Sequence, residues 1–166
     1  MDPEPVCLPI GRGEILREGR HLAIIAIGSL VYPSLQAAEQ LSHDGYEAQV
    51  VNARFLKPLD EELLCETARR FHFLVFAEEA SELGGFASAC WEALERNKVF
   101  GNAFLRIGIP DVLVPHGSPA LLLAKYGLDT DGLHLRIKQF LETQWEKRGS
   151  TTSSSKQDLL KIVKKP

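Results

Sequence analysis

A chain of 166 residues, 45% hydrophobic and 25% charged, has the size and composition of one globular domain with a single good core. Its net charge of −3 lacks the basic footprint that phosphate-backbone binding requires, so no nucleic-acid partner is expected. The longest apolar run, LAIIAIGSLV, is far too short to cross a bilayer and no charged-then-apolar leader opens the chain, so no membrane partner is expected either.

The opening MDPEPVCLP carries three prolines and reads as an extended lead-in. In GRGEILREGRHLAIIAIG, the runs EILRE and HLAIIAI flank Glu18-Gly19-Arg20, which reads as the turn of a hairpin. The second run does not alternate, which predicts a strand buried on both faces, as in a sheet covered by helices. After Gly28-Ser29 the spacing of Leu35, Ala38 and Leu41 predicts a helix with Pro33 in its first turn, ended by HDG. AQVVNA reads as a strand, and Asp60 as the cap of a helix carrying Leu63, Leu64 and Thr67 on one side. FHFLVFAE is another apolar strand, followed by a helix from about Gly85 to Arg96 with Phe86, Ala89, Ala93 and Leu94 inward. NAFLRIGI is a further strand. Ser118-Pro119 opens a helix over PALLLAKYG that Gly127 closes, and Asp129 or Thr130 caps a last helix with Leu133, Ile137, Phe140 and Leu141 on one face. Strands alternating with helices predict a mostly parallel α/β sheet with helices on both faces, and the hairpin predicts one antiparallel strand at an edge. Three cysteines, Cys7, Cys65 and Cys90, are odd in number and form no C-x-x-C pair, which points to a reducing compartment and to thiols that pack.

The chemistry-bearing residues do not assemble into a familiar site. IAIGSLVYP lies between a strand and a helix but has one glycine where a dinucleotide loop needs three, and VVNAR offers Asn52 where an acidic residue would hold a ribose. Glu78 and Glu79 are adjacent on a strand, so their side chains point to opposite faces and cannot converge on one atom as an acid/base pair. Gly84-Gly85 opens a helix whose free N–H groups favour an anion or a neighbouring carboxylate, or else permits a close backbone crossing. Cys90 falls one turn beyond Phe86 and reads as a core thiol. His116, in VPHGSP, is the histidine best placed for a cleft, and no histidine pair has metal-ligand spacing. Arg54 and Lys57 make a basic spot that either holds an anion or pairs with Asp60 and Glu61.

Three segments, VVNARFLKPLDEELL, EEASELGGFASA and GIPDVLVPHGSPALLLAKYGLD, resemble in order and spacing the C-terminal domain of the 1-deoxy-D-xylulose-5-phosphate synthase family. LPIGRGEILREGRHLAIIAIGSLVYPSLQAAEQL is similar to the linker and first βαβ unit of that domain, and the likeness covers about residues 4 to 142. More distantly the chain is similar to the last domain of transketolases. The resemblance implies a three-layer α/β sandwich whose five-stranded sheet has four parallel strands and one antiparallel. It implies a parent enzyme that condenses pyruvate with glyceraldehyde 3-phosphate using thiamine diphosphate and Mg2+, both held by earlier domains. This chain has no G-D-G segment and no pyrimidine-contacting domain, so no catalytic, cofactor or metal residue carries over to it.

The expectation is therefore a domain excised from, or encoded apart from, a longer enzyme. Residues 1–12 would be linker, 13–145 the α/β domain and 146–166 a flexible, Ser- and Lys-rich tail. Its expected partners are the missing N-terminal domains and a second subunit, met through Glu78, Glu79, Gly84, Gly85, Phe86 and His116. The expected compartment is the cytoplasm of a bacterium, or a plastid if the source has one. Three other readings stay open: the C-terminal domain of another transketolase-family enzyme, a ligand-binding module using a crevice lined by Ser29, Glu78 and His116, and a small enzyme with Glu79 or His116 as base.

Overall fold

The computed structural model describes residues 7–151, with side chains through 144. In chain order the strands are β1 (Glu14–Arg17), β2 (Leu22–Ala26), β3 (Ala48–Asn52), β4 (Phe73–Ser81) and β5 (Ala103–Ile109). The helices are α1 (Val31–His43), α2 (Glu61–Arg70), α3 (Phe86–Arg96), α4 (Pro119–Lys125) and α5 (Thr130–Thr151), with one 3-10 turn at Gly28–Leu30. The strands form one sheet in the order β1-β3-β2-β4-β5, parallel throughout except β1, which runs antiparallel to β3 at the edge. The expected α/β architecture holds.

Side-chain alternation divides the core in two. Leu22, Ile24 and Ala26 of β2, Val50 of β3 and Val75 of β4 face α1 and α5. Ala23 and Ile25, Val51, Leu74 and Phe76 face α2 and α3. A sheet buried on both faces explains why β2 reads as an unbroken apolar run.

The hairpin does not form. β1 pairs with β3, Glu14 opposite Asn52 and Ile15 opposite Val51, so β3 lies between β1 and β2. The segment after β1 crosses the amino end of β3 instead of folding back. The Arg20 and His21 N–H groups both donate to the Glu47 carbonyl, at 3.0 and 2.9 Å. Gly19 passes directly over β3, where a Cβ would overlap the backbone of Ala48 and Gln49. A glycine followed by a strand therefore marked a crossing, which the same sequence signal does not distinguish from a turn.

The helices follow their signals closely. Asp60 caps α2, its side chain accepting from the Leu63 N–H at 3.1 Å and from the Gly13 N–H at 3.0 Å. Asp129 caps α5 by accepting from the Gly132 N–H at 3.0 Å. Ser118 occupies the cap position of α4 but makes no side-chain cap bond. On α3 Phe86, Cys90, Ala93 and Leu94 are buried as expected, while Ala87 is buried and Ala89 is only half-buried. Leu133, Ile137 and Leu141 of α5 are buried and Phe140 packs at the margin. α5 runs on to Thr151, past Trp145 where the tail was expected; residues 152–166 of that tail lie outside the described residues.

Candidate functional site

In an open parallel sheet the chemistry of choice sits beyond the carboxyl ends of the strands, where the order of crossovers reverses. Here β2 has β3 on one side and β4 on the other, so that point lies between β2 and β4. It is bounded by the Gly28–Leu30 turn after β2 and by Glu78 and Glu79 near the end of β4.

The two carboxylates do point apart. Glu78 is 2% exposed and turns into the α2–α3 side of the sheet, while Glu79 is exposed. Both Glu78 oxygens are engaged, accepting from the N–H groups of Phe86 at 2.7 Å and Ala87 at 3.0 Å. These are orphan donors of the first turn of α3, and the cap residue Gly85 has no side chain to serve them. Glu78 is thus a cap supplied from the strand, set where the helix dipole favours an acceptor. Gly85 is what allows it: a Cβ there would overlap the Ser81 carbonyl oxygen and the Glu78 carboxyl group. Gly84, at φ +74°, makes the turn that delivers α3 onto this carboxyl.

Below the cap, Phe86 is 1% exposed and meets Phe76 edge-on with ring centroids 6.3 Å apart, so it turns its ring into its own domain. Cys90 is fully buried, and burial followed by the nearby Glu78 pushes its thiol well above the usual cysteine range. It is a packing group with no thiolate to offer.

On the other face of β4, Ser29 Oγ donates to Glu79 across the switch crevice. Beside Glu79 opens a groove of about 210 Å³ whose lining includes Ile109, Val114, Pro119, Leu122 and Tyr126. His116 is exposed in the loop above and is not part of that lining. Ser29 meets Glu79, but Glu78 and His116 do not join them, and the three-residue crevice of the ligand-binding reading does not assemble. Arg54 pairs with Glu14, and Glu61 pairs with Arg96 and Asn97; neither expected partner of the basic spot is engaged with Arg54. Asn52 accepts from the Arg54 N–H at 3.0 Å, a local turn bond.

Two larger hollows lie elsewhere. One, about 430 Å³, sits beside α3 between Trp91, Phe104 and Arg106. The other, about 480 Å³, lies at the opposite edge of the sheet with Arg69, His72, Lys98 and Phe100. Neither faces the switch point. Among the described residues, no three His, Cys, Asp or Glu side chains come together as a metal site would require.

The feature that sequence reasoning missed is apolar. Every residue from 111 to 118 is exposed, and α4 buries none of its residues. Leu113 is 97% exposed, Leu121 72% and Val112 54%. The signal was available in PDVLVPHGSPALLLAKYG, which carries more apolar side chains than a seven-residue helix can turn inward.

Comparison with known proteins follows the fold. Residues 11–133 match the family model described as transketolase, C-terminal domain. Over 148 residues the chain is 47% identical to the 1-deoxy-D-xylulose-5-phosphate synthase of Desulforudis audaxviator, a stretch that is 89% of this chain and 23% of that protein. Over 142 residues it is 47% identical to 1-deoxy-D-xylulose-5-phosphate synthase 1 of Geobacter metallireducens, 86% of this chain and 23% of the other. The chain thus spans less than a quarter of the length of these relatives. A solved structure described as a split gene transketolase, inactive beta4 tetramer, superposes with a TM-score of 0.75 at 36% identity, covering 82% of this chain and 44% of that one. A transketolase of Pichia stipitis superposes with a TM-score of 0.59 at 17% identity, covering 79% of this chain and 18% of that one, a likeness of fold alone.

Proposed function

The chain belongs to the transketolase C-terminal domain family, and from that premise we propose that it is the non-catalytic assembly domain of a 1-deoxy-D-xylulose-5-phosphate synthase. The whole enzyme would condense pyruvate with glyceraldehyde 3-phosphate, releasing carbon dioxide, with the preceding domains and a second subunit as this domain's partners. The observation that carries the reading is Glu78. The one buried carboxyl at the switch point is committed to two backbone N–H groups of α3, so the position where such sheets do chemistry holds a structural cap.

Thiamine diphosphate and Mg2+ belong, in this reading, to the preceding domains. The described residues of this chain do not fit a metal-diphosphate pocket: they bring no cluster of three ligating side chains together, and Glu79 is held by Ser29. The relative described as a split gene transketolase lends support, because in that protein the enzyme is encoded in pieces.

Assay of the isolated chain with pyruvate, glyceraldehyde 3-phosphate, thiamine diphosphate and Mg2+ is expected to yield no product. A full-length chimera, in which this chain replaces the last domain of the Desulforudis audaxviator relative, is expected to retain carboligase activity. Turnover by the isolated chain would refute the reading, as would an inactive chimera that is folded.

A further inference from the structure

Most of the exposed large apolar side chains lie on one side of the molecule, the carboxyl edge of the sheet. Tyr32 (79% exposed) opens α1 just after β2, Leu83 (56%) sits in the turn after β4, and Val112, Leu113 and Leu121 follow β5. Between Pro110 and Tyr126 the only charged residues are Asp111 and Lys125. A segment so apolar and so poor in charge fits an apolar protein surface better than a nucleotide or another polyanion. The seven-residue helix α4 has no fully buried residue and packs on the core only through half-buried Leu123, which is little packing to sustain so short a helix.

The same edge is where the rest of a longer polypeptide would arrive. The Gly13 N–H donates to Asp60, and Glu14 pairs with Asn52, the last residue of β3, so the lead-in meets the sheet at its carboxyl edge. Leu8 and Ile10 of that lead-in are themselves 51% and 77% exposed. The matched stretch is 23% of the length of the Desulforudis audaxviator relative, and in a chain of that length a preceding domain would reach this one beside the uncovered face.

We infer that the carboxyl-edge face built from Tyr32, Leu83, Val112, Leu113 and Leu121 is the seat of the preceding domain of the same enzyme, and that the 110–126 segment is covered only in that assembly. The inference rests on the assembly-domain reading and adds to it the surface through which the preceding domain is met. Phe100, 68% exposed at the opposite edge beside Lys98 and His72, serves as the control position.

The test is backbone hydrogen exchange over residues 110–126, in the isolated chain and in the full-length chimera. Exchange should be at least about tenfold slower in the chimera. Leu113→Glu and Leu121→Glu should each abolish that protection, while Phe100→Glu should leave it intact. All three side chains are exposed, so the thermal midpoint of the isolated chain should not move. An active chimera in which 110–126 exchanges as fast as in the isolated chain overturns the surface and leaves the assembly reading standing. An inactive, folded chimera removes both. An isolated chain that sediments as a dimer dissolved by Leu113→Glu would give the face to a second copy and overturn the inference.

Discussion

Glu78 and its neighbour show how much a single residue's position can be read, and where the reading stops. Strand alternation is enough to send Glu78 and Glu79 to opposite faces, and it does. That Glu78 would find the first N–H groups of α3 depends on the tight Gly84–Gly85 turn, a geometry set by backbone that no residue type specifies alone. Replacing Glu78 by Gln leaves an amide that can accept from one N–H while presenting a donor towards the other. We predict a loss of about 1–3 kcal/mol in urea unfolding, with Glu78→Ala at or beyond the upper end. Gly85→Ala should be at least as damaging, so it reports on the fold and not on docking. Cys90 gives a pH signature. The folded chain holds its thiol protonated, whereas the unfolded chain ionises it in the ordinary cysteine range. The unfolded state then binds fewer protons, so stability is unaffected by this group at neutral pH and falls as pH rises past that range, by up to about 1.4 kcal/mol per pH unit. Cys90→Ala should flatten that fall. In native buffer only Cys7, which is exposed, should react rapidly with a thiol reagent, and Cys65 and Cys90 only after unfolding.

At the scale of elements, every strand and helix was legible from periodicity and cap residues, and the pairing of β1 was not. Local sequence sees Glu18-Gly19-Arg20 as a turn; the decision to cross β3 is made by the Glu47 carbonyl and by space above Ala48 and Gln49, residues nearly thirty positions away. Gly19→Ala is predicted to cost more than about 2 kcal/mol, far above the ordinary Gly-to-Ala change in a turn, because backbone atoms and not a flexible side chain stand in its way. A genuine hairpin turn would tolerate it. α1 and α5 are joined at their margins by Asp44, which meets His134 Nε2 at 2.7 Å and Lys138 Nζ at 3.0 Å. The bond with His134, then that with Lys138, holds the Asp44 carboxyl below the usual range. A depressed carboxyl stabilises above its unfolded pKa and loses that contribution as pH falls through its folded value. Asp44→Ala should therefore lower the thermal midpoint slightly at neutral pH and not at all once both forms are protonated in acid. The effect should shrink with salt, as for other pairs open to solvent.

At the scale of the molecule, fold class and family were carried by order and spacing of motifs, but the exposed apolar edge could not be. Periodicity reports which residues want to be buried and is silent on whether the chain itself has anything to bury them against. PALLLAK satisfies a helical pattern, and in this domain Leu123 packs at the margin of the core while no residue of the helix is fully buried. His116 and Glu79 lie on that same edge, exposed, and they are the two side chains that a self-contained small enzyme would use as catalytic bases. In an assembly domain neither carries chemistry. The most direct test is kcat for carboligation in the full-length chimera carrying Glu79→Gln and His116→Ala. If this domain supplies no group to the reaction, kcat stays within about twofold of the unsubstituted chimera. A fall of about a hundredfold or more, the range expected on removing a general acid or base, would place a working residue on this chain and contradict its role as a purely structural partner.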